Sequence, residues 1–420
     1  MAVIGIDLGT TYSAAARFID GNTEIIPLEG NPTLPSVVSV LPSGKIAVGW
    51  TAKRNQAKNP QDTIVEVKRK MGKAVSVHLG QKELSPPEIS ALILKRIKEM
   101  AEDQLGEAID GVVISCPAYF KDPQRAATSQ AGELAGLKVL QIVNEPTAAA
   151  YAYGLGQAND NQERLAMVYD LGGGTFDVTV IKMIGGNLEV IGTGGDPELG
   201  GGNFDDRIVD WMLERIREKN PAYASSIGVN TEREQTLKMR LKSHAEEAKK
   251  KLCGPPILDE YNLQIAQLDQ FEGQPVTFHE VLTRNEFEAR IKDLLENSMK
   301  WLDEAMKVPK ERFKYTENDI TDVLLVGGST RVPLVRQLLE HRYGKERLKG
   351  MEVGIDPDEI VARGASMVAA QANPYSTEVV ETKLVDVTGH TLSVAVFEEA
   401  KGREILHPLI RKETPIPHSA

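Results

Sequence analysis

Apolar and polar residues along this chain of 420 residues follow two periods, one typical of strands and one typical of helices. The strand-like runs include two similar sets of three that lie far apart in the chain. In each set a hairpin signal, at residues 20–21 (DG) or 185–187 (GGN), separates the second run from the third. The pattern therefore predicts a duplicated three-stranded meander. The runs are residues 3–6, 13–19 and 23–26 in the first set and 166–169, 176–184 and 188–191 in the second.

Helical spacing fills much of the chain between these runs. Residues 85–88 (SPPE) are a helix start, with a capping hydroxyl and proline in the first turn, and Gly106 follows the end of that helix. A second helix is predicted from Asp122 to Gly136. Further strand-like runs alternate with the helices, which predicts a mixed α/β protein of two similar halves, about 1–155 and 165–375. Other helical patterns fit residues 203–218, 231–252, 286–305 and 357–371.

The pattern changes after Pro374. Residues 384–387 form a short apolar run, 391–397 alternate like an antiparallel strand, and 405–410 fit one more strand. So short a stretch of strand pattern cannot bury a useful core alone. We therefore interpret residues 388–420 as the start of a β domain that is cut short.

Length, charge and cysteine content narrow the class of protein. The length predicts two or more domains. The net charge of −11 argues against nonspecific nucleic-acid binding. Cys116 and Cys253 are far apart in sequence, which indicates a reducing compartment without a disulfide framework. No apolar run approaches the ~20 residues that span a bilayer, and a strand at Val3 leaves no room for a signal peptide. We therefore expect a cytoplasmic protein with no nucleic-acid or membrane partner.

Each predicted meander carries the same chemical groups in its first turn, a carboxylate, a glycine turn and a hydroxyl. Glycine turns offer backbone N–H groups to phosphate oxygens, and a carboxylate at the strand end can hold Mg²⁺ through water. For one copy alone, a tight hairpin with a turn-forming aspartate is an equally good interpretation. Two copies in matched context favour a nucleotide held between the halves. The groups are Asp7, Gly9, Thr10 and Thr11 in the first copy and Asp170, Gly173, Gly174 and Thr175 in the second.

Two further segments could complete such a site. Residues 327–331 (GGSTR) lie between a strand and a helix start at Pro333, an arrangement that forms anion sites but is weak alone. In the helix over 231–252, a polar stripe lies beside the apolar one. A solvated face of Glu–Lys pairs is the simpler interpretation from spacing alone. The functional one is a platform for a base and a ribose. The stripe comprises Glu246, Lys249, Lys250 and Cys253.

Other chemistry finds little support. Lys68 and Glu145, taken in isolation, would be interpreted as surface charges. The seven histidines form no metal-type cluster, and no Ser/His/Asp or Cys/His order stands out. The sequence therefore does not favour catalysis by a nucleophilic side chain.

Five motifs, in order along the chain, closely resemble those of the heat-shock 70 kDa chaperones, the DnaK-like family. They are residues 4–13 (IGIDLGTTYS), 116–120 (CPAYF), 144–150 (NEPTAAA), 169–177 (YDLGGGTFD) and 326–331 (VGGSTR).

The resemblance implies an α/β, actin-like ATPase fold of two duplicated RNase H-like lobes. The ATPase domain would span residues 1–376, with the first lobe at about 1–160 and the second at about 161–376. An interdomain linker would follow at 377–387, and residues 388–420 would be the truncated start of a β-sandwich that binds peptide.

The resemblance also implies roles for individual residues. The catalytic set would be Lys68, Glu145, Asp170, Thr175 and Asp177. Hydrated Mg²⁺ would be held by Asp7, Asp170 and Glu145, the last through water, with K⁺ a further candidate ion. Pro117 and Arg125 would form a switch that reports nucleotide state. The phosphates and adenosine of ATP or ADP would be bound by Gly9, Thr10, Thr11, Tyr12, Gly173, Gly174, Thr175, Glu246, Lys249, Lys250, Cys253, Gly328, Ser329 and Arg331.

The implied function is ATP hydrolysis to ADP and phosphate, coupled to binding and release of unfolded polypeptide. A J-domain co-chaperone and a nucleotide exchange factor would be the partners. Departures from the family pattern are a short segment between Met71 and Ser85, Cys253 where serine is common, and Lys250 where arginine is frequent. Two alternatives stay open, a small-molecule kinase of the actin-like superfamily and a nucleotide-dependent scaffold.

Overall fold

The computed structural model describes residues 2–56, 58–154, 162–185, 187–229, 231–350, 354, 356–373, 383–387, 392–398, 403–410 and 415–416. The strands are β1 (Ala2–Asp7), β2 (Tyr12–Ile19), β3 (Asn22–Ile25), β4 (Thr33–Pro35), β5 (Val38–Val40), β6 (Ile46–Val48), β7 (Thr63–Ile64), β8 (Val77–Leu79), β9 (Lys82–Leu84), β10 (Ile109–Cys116), β11 (Val139–Asn144), β12 (Arg164–Leu171), β13 (Phe176–Ile184), β14 (Asn187–Asp196), β15 (Glu260–Phe271), β16 (Gln274–Thr283), β17 (Asp322–Val326), β18 (Leu348–Lys349), β19 (Lys383–Val387), β20 (Leu392–Glu398), β21 (Arg403–Ile410) and β22 (Pro415–Ile416).

Helices lie between these strands, several of them where the apolar spacing predicts. They are α1 (Trp50–Gln56), α2 (Pro86–Leu105), α3 (Asp122–Leu134), α4 (Glu145–Gly154), α5 (Gly201–Lys219), α6 (Pro221–Ile227), α7 (Glu232–Cys253), α8 (Arg284–Ala305), α9 (Pro333–Tyr343) and α10 (Ile360–Ala372).

Two mixed sheets repeat one topology. In the first sheet the order is β11-β10-β1-β2-β3, with β4 also paired to β2. In the second it is β18-β17-β12-β13-β14, continued by β19 and β22. Each sheet has an antiparallel meander, and strands from later in the chain add in parallel to its first strand. This confirms the predicted duplicated meander, and it places the first turn of each meander at corresponding positions in the two halves.

Separate apolar cores support the two sheets. One packs β1 and β10 against α2 and α3, and another packs β12 and β13 against α5, α7 and α8. A third cluster joins the halves, because α4 and α10 pack between the two sheets.

The crossing of α4 and α10 depends on glycine. A Cβ built on Gly364 of α10 would lie 1.7 Å from the backbone oxygen of Ala148 in α4. A Cβ on Gly5 of β1 would lie 2.1 Å from the backbone nitrogen of Ser366. Backbones can approach this closely only where no side chain intervenes. Helix α4 starts at Glu145, which lies at the site described below. The close contact between α4 and α10 therefore also helps to fix the position of Glu145.

The C-terminal segment extends the second sheet. Strand β19 pairs in parallel with β14, with Leu384 opposite Leu188, and β22 pairs with β19. The hairpin β20–β21 forms a separate two-stranded sheet. Residues 377–382 of the predicted linker, and most residues between the later strands, lie outside the described residues. The domain boundaries and the assignment of 388–420 stay predictions. No helix in the described part of the chain is long and apolar enough to cross a membrane.

Candidate functional site

A cavity of about 380 Å³ lies between the two sheets, where the first turns of the meanders face each other. Cavities of this size hold small molecules. The predicted site residues that line the cavity are Asp7, Gly9, Thr10, Thr11, Tyr12, Lys68, Glu145, Asp170, Gly173, Thr175, Glu246, Lys249, Lys250, Cys253, Gly328, Ser329 and Arg331.

The two glycine loops pack directly against each other. A Cβ on Gly173 would lie 1.8 Å from Oγ1 of Thr11, and a Cβ on Gly174 would lie 2.4 Å from Cγ2 of Thr10. A side chain at either position of the second loop would displace a threonine of the first loop, so glycine allows the close approach. The first loop is held from the other side by Ser36, whose hydroxyl donates a hydrogen bond of 2.8 Å to the backbone oxygen of Gly9.

The second loop is also held in place by contacts with α5 and with the glycine segment of residues 327–331. The backbone N–H of Gly201, the first residue of α5, donates to the oxygen of Gly172 at 3.0 Å. The hydroxyl of Ser329 donates to the same oxygen at 2.9 Å. Lys249 of α7 donates to the oxygen of Gly201 and forms an ion pair of 2.8 Å with Asp205. Helix starts and glycine turns thus position loop backbone around the cavity.

Lys68 and Glu145 form a buried ion pair at the end of the cavity near both loops. Lys68 lies on a short 3-10 turn, Val67–Lys70, and its ammonium donates to Oε1 of Glu145. The two residues are 4% and 8% exposed, so the surface-charge interpretation is wrong for both. Burial acts to lower the pKa of Lys68, but Glu145 and Asp7 outweigh it and raise the pKa. Lys68 is therefore a permanently charged group facing the cavity.

Carboxylates outnumber the ammonium at this end of the cavity. Burial and the neighbouring Glu145 raise the pKa of Asp7 to about 6, against the opposing effects of Lys68 and of a 2.7 Å hydrogen bond from Ser115. Burial, Glu145 and Asp7 raise the pKa of Asp170 well above its ordinary value. Burial is the larger cause of both shifts, and a cation bound here would relieve the repulsion between the carboxylates that adds to it.

The donor set fits a hydrated metal ion. Within the described ranges, no three carboxylate, histidine or cysteine groups converge closely enough to bind a metal directly. Oxygen ligands and retained water are what Mg²⁺ prefers. Asp7, Asp170 and Glu145 are therefore suited to hold such an ion through water.

The opposite end of the cavity is lined by α7 and by aromatic residues of the first half. Tyr12 donates to Oε1 of Glu246 at 2.8 Å, and the ammonium of Lys250 lies 4.1 Å from the centroid of the Tyr12 ring. Lys53 of α1 donates to the other oxygen of Glu246. Burial acts to raise the pKa of Glu246, but Lys53, Lys250 and Lys249 outweigh it and hold the pKa well below its ordinary value. Glu246 is thus a charged acceptor that links the two halves.

Cys253 and Arg331 lie at the same end. Burial raises the pKa of Cys253 to about 12, so its thiol is neutral. Arg331 forms ion pairs of 2.8 Å with Asp356 and Asp358, which fix its guanidinium beside the cavity. Asp358 also lines the cavity and was not predicted.

Two predicted residues do not line the cavity. Gly174 is a buried residue of the second loop, and its backbone oxygen accepts a hydrogen bond of 3.0 Å from Arg69. Asp177 is 3% exposed and accepts a hydrogen bond from the backbone of Ala118. Neither residue is placed for direct contact with a molecule in the cavity, because β13 carries Asp177 past the turn and packing encloses Gly174.

Other residues of the cavity wall were missed by the sequence prediction. They are mostly apolar or lack a motif of their own: Thr33, Trp50, Gly254, Pro255, Val332, Pro357, Asp358 and Val361. Gly172, Val326 and Gly327 also line the cavity, and they belong to the glycine motifs found in the sequence.

The Pro117 and Arg125 segment adjoins the ion pair of Lys68. Arg125 donates to the backbone oxygen of Phe120 at 3.0 Å and to the side-chain oxygen of Asn144, the residue before Glu145. The Lys68 ammonium lies 6.0 Å from the Phe120 ring centroid. Arg125 thus connects residues 117–120 by hydrogen bonds to Asn144, which precedes Glu145 in the chain.

Comparison with known proteins identifies the family. The family model described as "Hsp70 protein" matches residues 3–420. The chain belongs to the Hsp70 family. This Hsp70 chain is 42% identical over 418 residues to proteins named "Chaperone protein DnaK" from Thermotoga neapolitana and Thermotoga maritima, and 41% identical to one from Thermosipho melanesiensis. Each alignment covers 99% of this chain and 66% of the relative.

Family membership and the two repeated sheets confirm the actin-like fold for this Hsp70 chain. They do not favour a small-molecule kinase or a scaffold. The chain spans 66% of the length of the curated relatives that it matches.

Proposed function

We propose that this chain binds ATP with Mg²⁺ between its two lobes and hydrolyses it to ADP and phosphate. The observation that carries the proposal is the convergence of two packed glycine loops, the carboxylates of Asp7 and Asp170, and the Lys68–Glu145 pair on one cavity. Family membership supports the nucleotide as ATP or ADP.

The residues divide into a phosphate end and a nucleoside end. Gly9, Thr10, Thr11, Gly173 and Thr175 would donate to phosphate oxygens. Bound Mg²⁺ would supply charge neutralisation for the phosphates. The segment of Gly328, Ser329 and Arg331 would also bind phosphate, and the stripe of Glu246, Lys249, Lys250 and Cys253 would meet the ribose and base.

Hydrolysis would depend on placement and charge more than on a strong base. Lys68 would offset the charge that develops on the transferring phosphate, and Glu145 would orient the attacking water. Their ion pair holds both groups at one end of the cavity before a nucleotide binds. Thr175 would contact the terminal phosphate. Asp177 does not line the cavity and would act by positioning neighbouring residues, without direct contact with the phosphate.

As an Hsp70 chaperone, the whole protein would couple nucleotide state to binding and release of unfolded polypeptide. The relatives named "Chaperone protein DnaK" support this proposal. A J-domain co-chaperone, a nucleotide exchange factor, K⁺ as a second ion, and a cytoplasmic location are finer proposals that rest on the family resemblance.

Calorimetric titration of the purified chain with ADP and Mg²⁺ tests the proposal directly. We expect one binding event per chain that weakens when Mg²⁺ is chelated, because the buried carboxylates would then face the phosphates without a cation. If no heat accompanies either titration, and labelled ATP is not retained on the protein, the proposed function is wrong.

Removal of the C-terminal segment is expected to change the rate of ATP hydrolysis. Strand β19 forms backbone pairs with β14, which is continuous with the second glycine loop through β13. A chain ending at residue 376 loses this pairing, and we expect its single-turnover rate to differ by about fivefold from that of the full chain.

A chain ending at residue 390 is the control for that truncation, since it retains β19 and its pairing with β14 but lacks β20, β21 and β22. Its rate should stay near that of the full chain. Equal rates in all three chains would show that the linker strand is not coupled to hydrolysis.

A further inference from the structure

Trp50 lies at the nucleoside end of the cavity, and the proposed function described above gives it no role. It is the first residue of α1 and lines both the main cavity and an adjoining pocket of about 460 Å³. Tyr12, Glu246, Lys250, Gly254 and Pro255 line both spaces as well. Trp50 therefore belongs to the wall that divides the cavity from its outer extension.

The fold holds this ring in place. Gly49, with φ of +76°, turns the chain into α1, and its N–H donates to the oxygen of Val37 at 3.0 Å. Further along α1, Asn55 donates to the hydroxyl of Ser39 at 2.7 Å. One side of Trp50 packs on the core of the first lobe. A ring anchored in this way can present its other side to a ligand at low entropic cost.

The chemistry of this ring suits a base or a sugar and does not suit phosphate. Its centroid lies 6.0 Å from that of Tyr12, whose hydroxyl donates to Glu246. Its indole N–H is covered by protein and has no hydrogen-bond partner among the described residues. The covered N–H is not offered to the cavity, so the ring contributes through its flat face, and Pro255 adds apolar surface to the same cavity from the second lobe. Aromatic surfaces bind bases through stacking and apolar contact.

We propose that Trp50 is a further nucleotide-binding residue of this chain, which contacts the nucleoside from the first lobe and makes affinity depend on the base as well as the phosphates. This inference rests on the proposed function. It predicts that loss of the ring weakens nucleotide binding, while the chemistry at Lys68 and Glu145 proceeds normally once ATP is bound.

The test compares Trp50→Ala, Trp50→Phe and the control Thr51→Ala in the full chain. Thr51 is the next residue of α1 and is exposed. We expect Trp50→Ala to raise the Kd for MgADP on the order of tenfold. Trp50→Phe keeps an apolar ring and should restore most of the affinity, and Thr51→Ala should change it by less than about twofold. In Trp50→Ala the KM for ATP should rise while the single-turnover rate at saturating ATP is retained.

Tryptophan emission gives an independent readout. Trp211 is 1% exposed and Trp301 packs against the core of the second lobe, so Trp50 is the tryptophan that lines the cavity. MgADP should change the emission of the wild-type chain and of Thr51→Ala, and Trp50→Phe should lose most of that change.

The outcomes distinguish a failure of the role of Trp50 from a failure of the proposed function. Wild-type affinity for MgADP in Trp50→Ala would overturn the role of Trp50 and leave the proposed function standing. Equal weakening in the alanine and phenylalanine variants, with slower hydrolysis at saturating ATP, would replace it by a purely structural role. Absence of MgADP binding by the wild-type chain would overturn the proposed function and this inference together.

Discussion

Replacement of Lys68 by alanine is expected to slow single-turnover ATP hydrolysis by roughly 100- to 1,000-fold, while MgATP still binds. The glycine loops and the α7 stripe that would hold the nucleotide are untouched by this change. What is lost is the buried ammonium that faces the cavity beside Glu145. Rapid mixing of the variant with labelled ATP, followed by acid quench, measures the rate, and filter retention measures binding.

The same replacement leaves Glu145 buried without its partner. We therefore also expect the ligand-free variant to lose about 3–5 kcal/mol of stability, which a denaturant titration measures. Lys70→Ala is the matched control, because Lys70 lies on the same 3-10 turn and is exposed. Hydrolysis at the wild-type rate in Lys68→Ala would refute the assigned role. A slowed rate in Lys70→Ala as well would point to disturbance of the turn.

Replacement of Gly364 by alanine is expected to destabilise the protein by about 3 kcal/mol or more. The added methyl group would lie 1.7 Å from the oxygen of Ala148, and backbone atoms cannot rotate away as a side chain can. Helices α4 and α10 must therefore separate. Because α4 begins at Glu145, we expect weaker nucleotide binding in addition to the loss of stability. Urea unfolding followed by circular dichroism measures the change.

Gly154→Ala is the control, since Gly154 is the last residue of α4 and, among the residues that the structure describes, an added methyl group would meet only Leu188, at 3.9 Å. That variant should stay within about 1 kcal/mol of the wild-type chain. A Gly364→Ala protein as stable as Gly154→Ala would show that the helix crossing tolerates a wider separation than its geometry indicates.

Local chemistry explains what the sequence could predict. The meanders carry their period and their hairpin signals within short segments, so β1, β2 and β3 were predicted within a few residues. The helix over 231–252 appears as α7 (Glu232–Cys253), because its apolar stripe is regular and Thr231 caps it. Repetition of a carboxylate, a glycine turn and a hydroxyl indicated the loops without knowledge of the fold.

Features that depend on packing between distant segments could not be predicted in this way. Helix α4 is buried on nearly every side and shows no amphipathic period, so its pattern carries no helical signal. Lys68 and Glu145 are 77 positions apart, and only the folded lobe buries them together. The burial of Asp177 outside the cavity wall, and the place of Trp50 in that wall, likewise follow from the arrangement of strands and helices around them.

The parallel pairing of β19 with β14 has a consequence for association between molecules. A strand at the rim of a sheet exposes N–H and C=O groups to which a foreign strand can add. In β14, residues 187–189 pair through these backbone groups with β19 of the same chain. Whenever that strand detaches, the rim becomes a template for another polypeptide, so a shortened chain should self-associate more readily as its concentration rises.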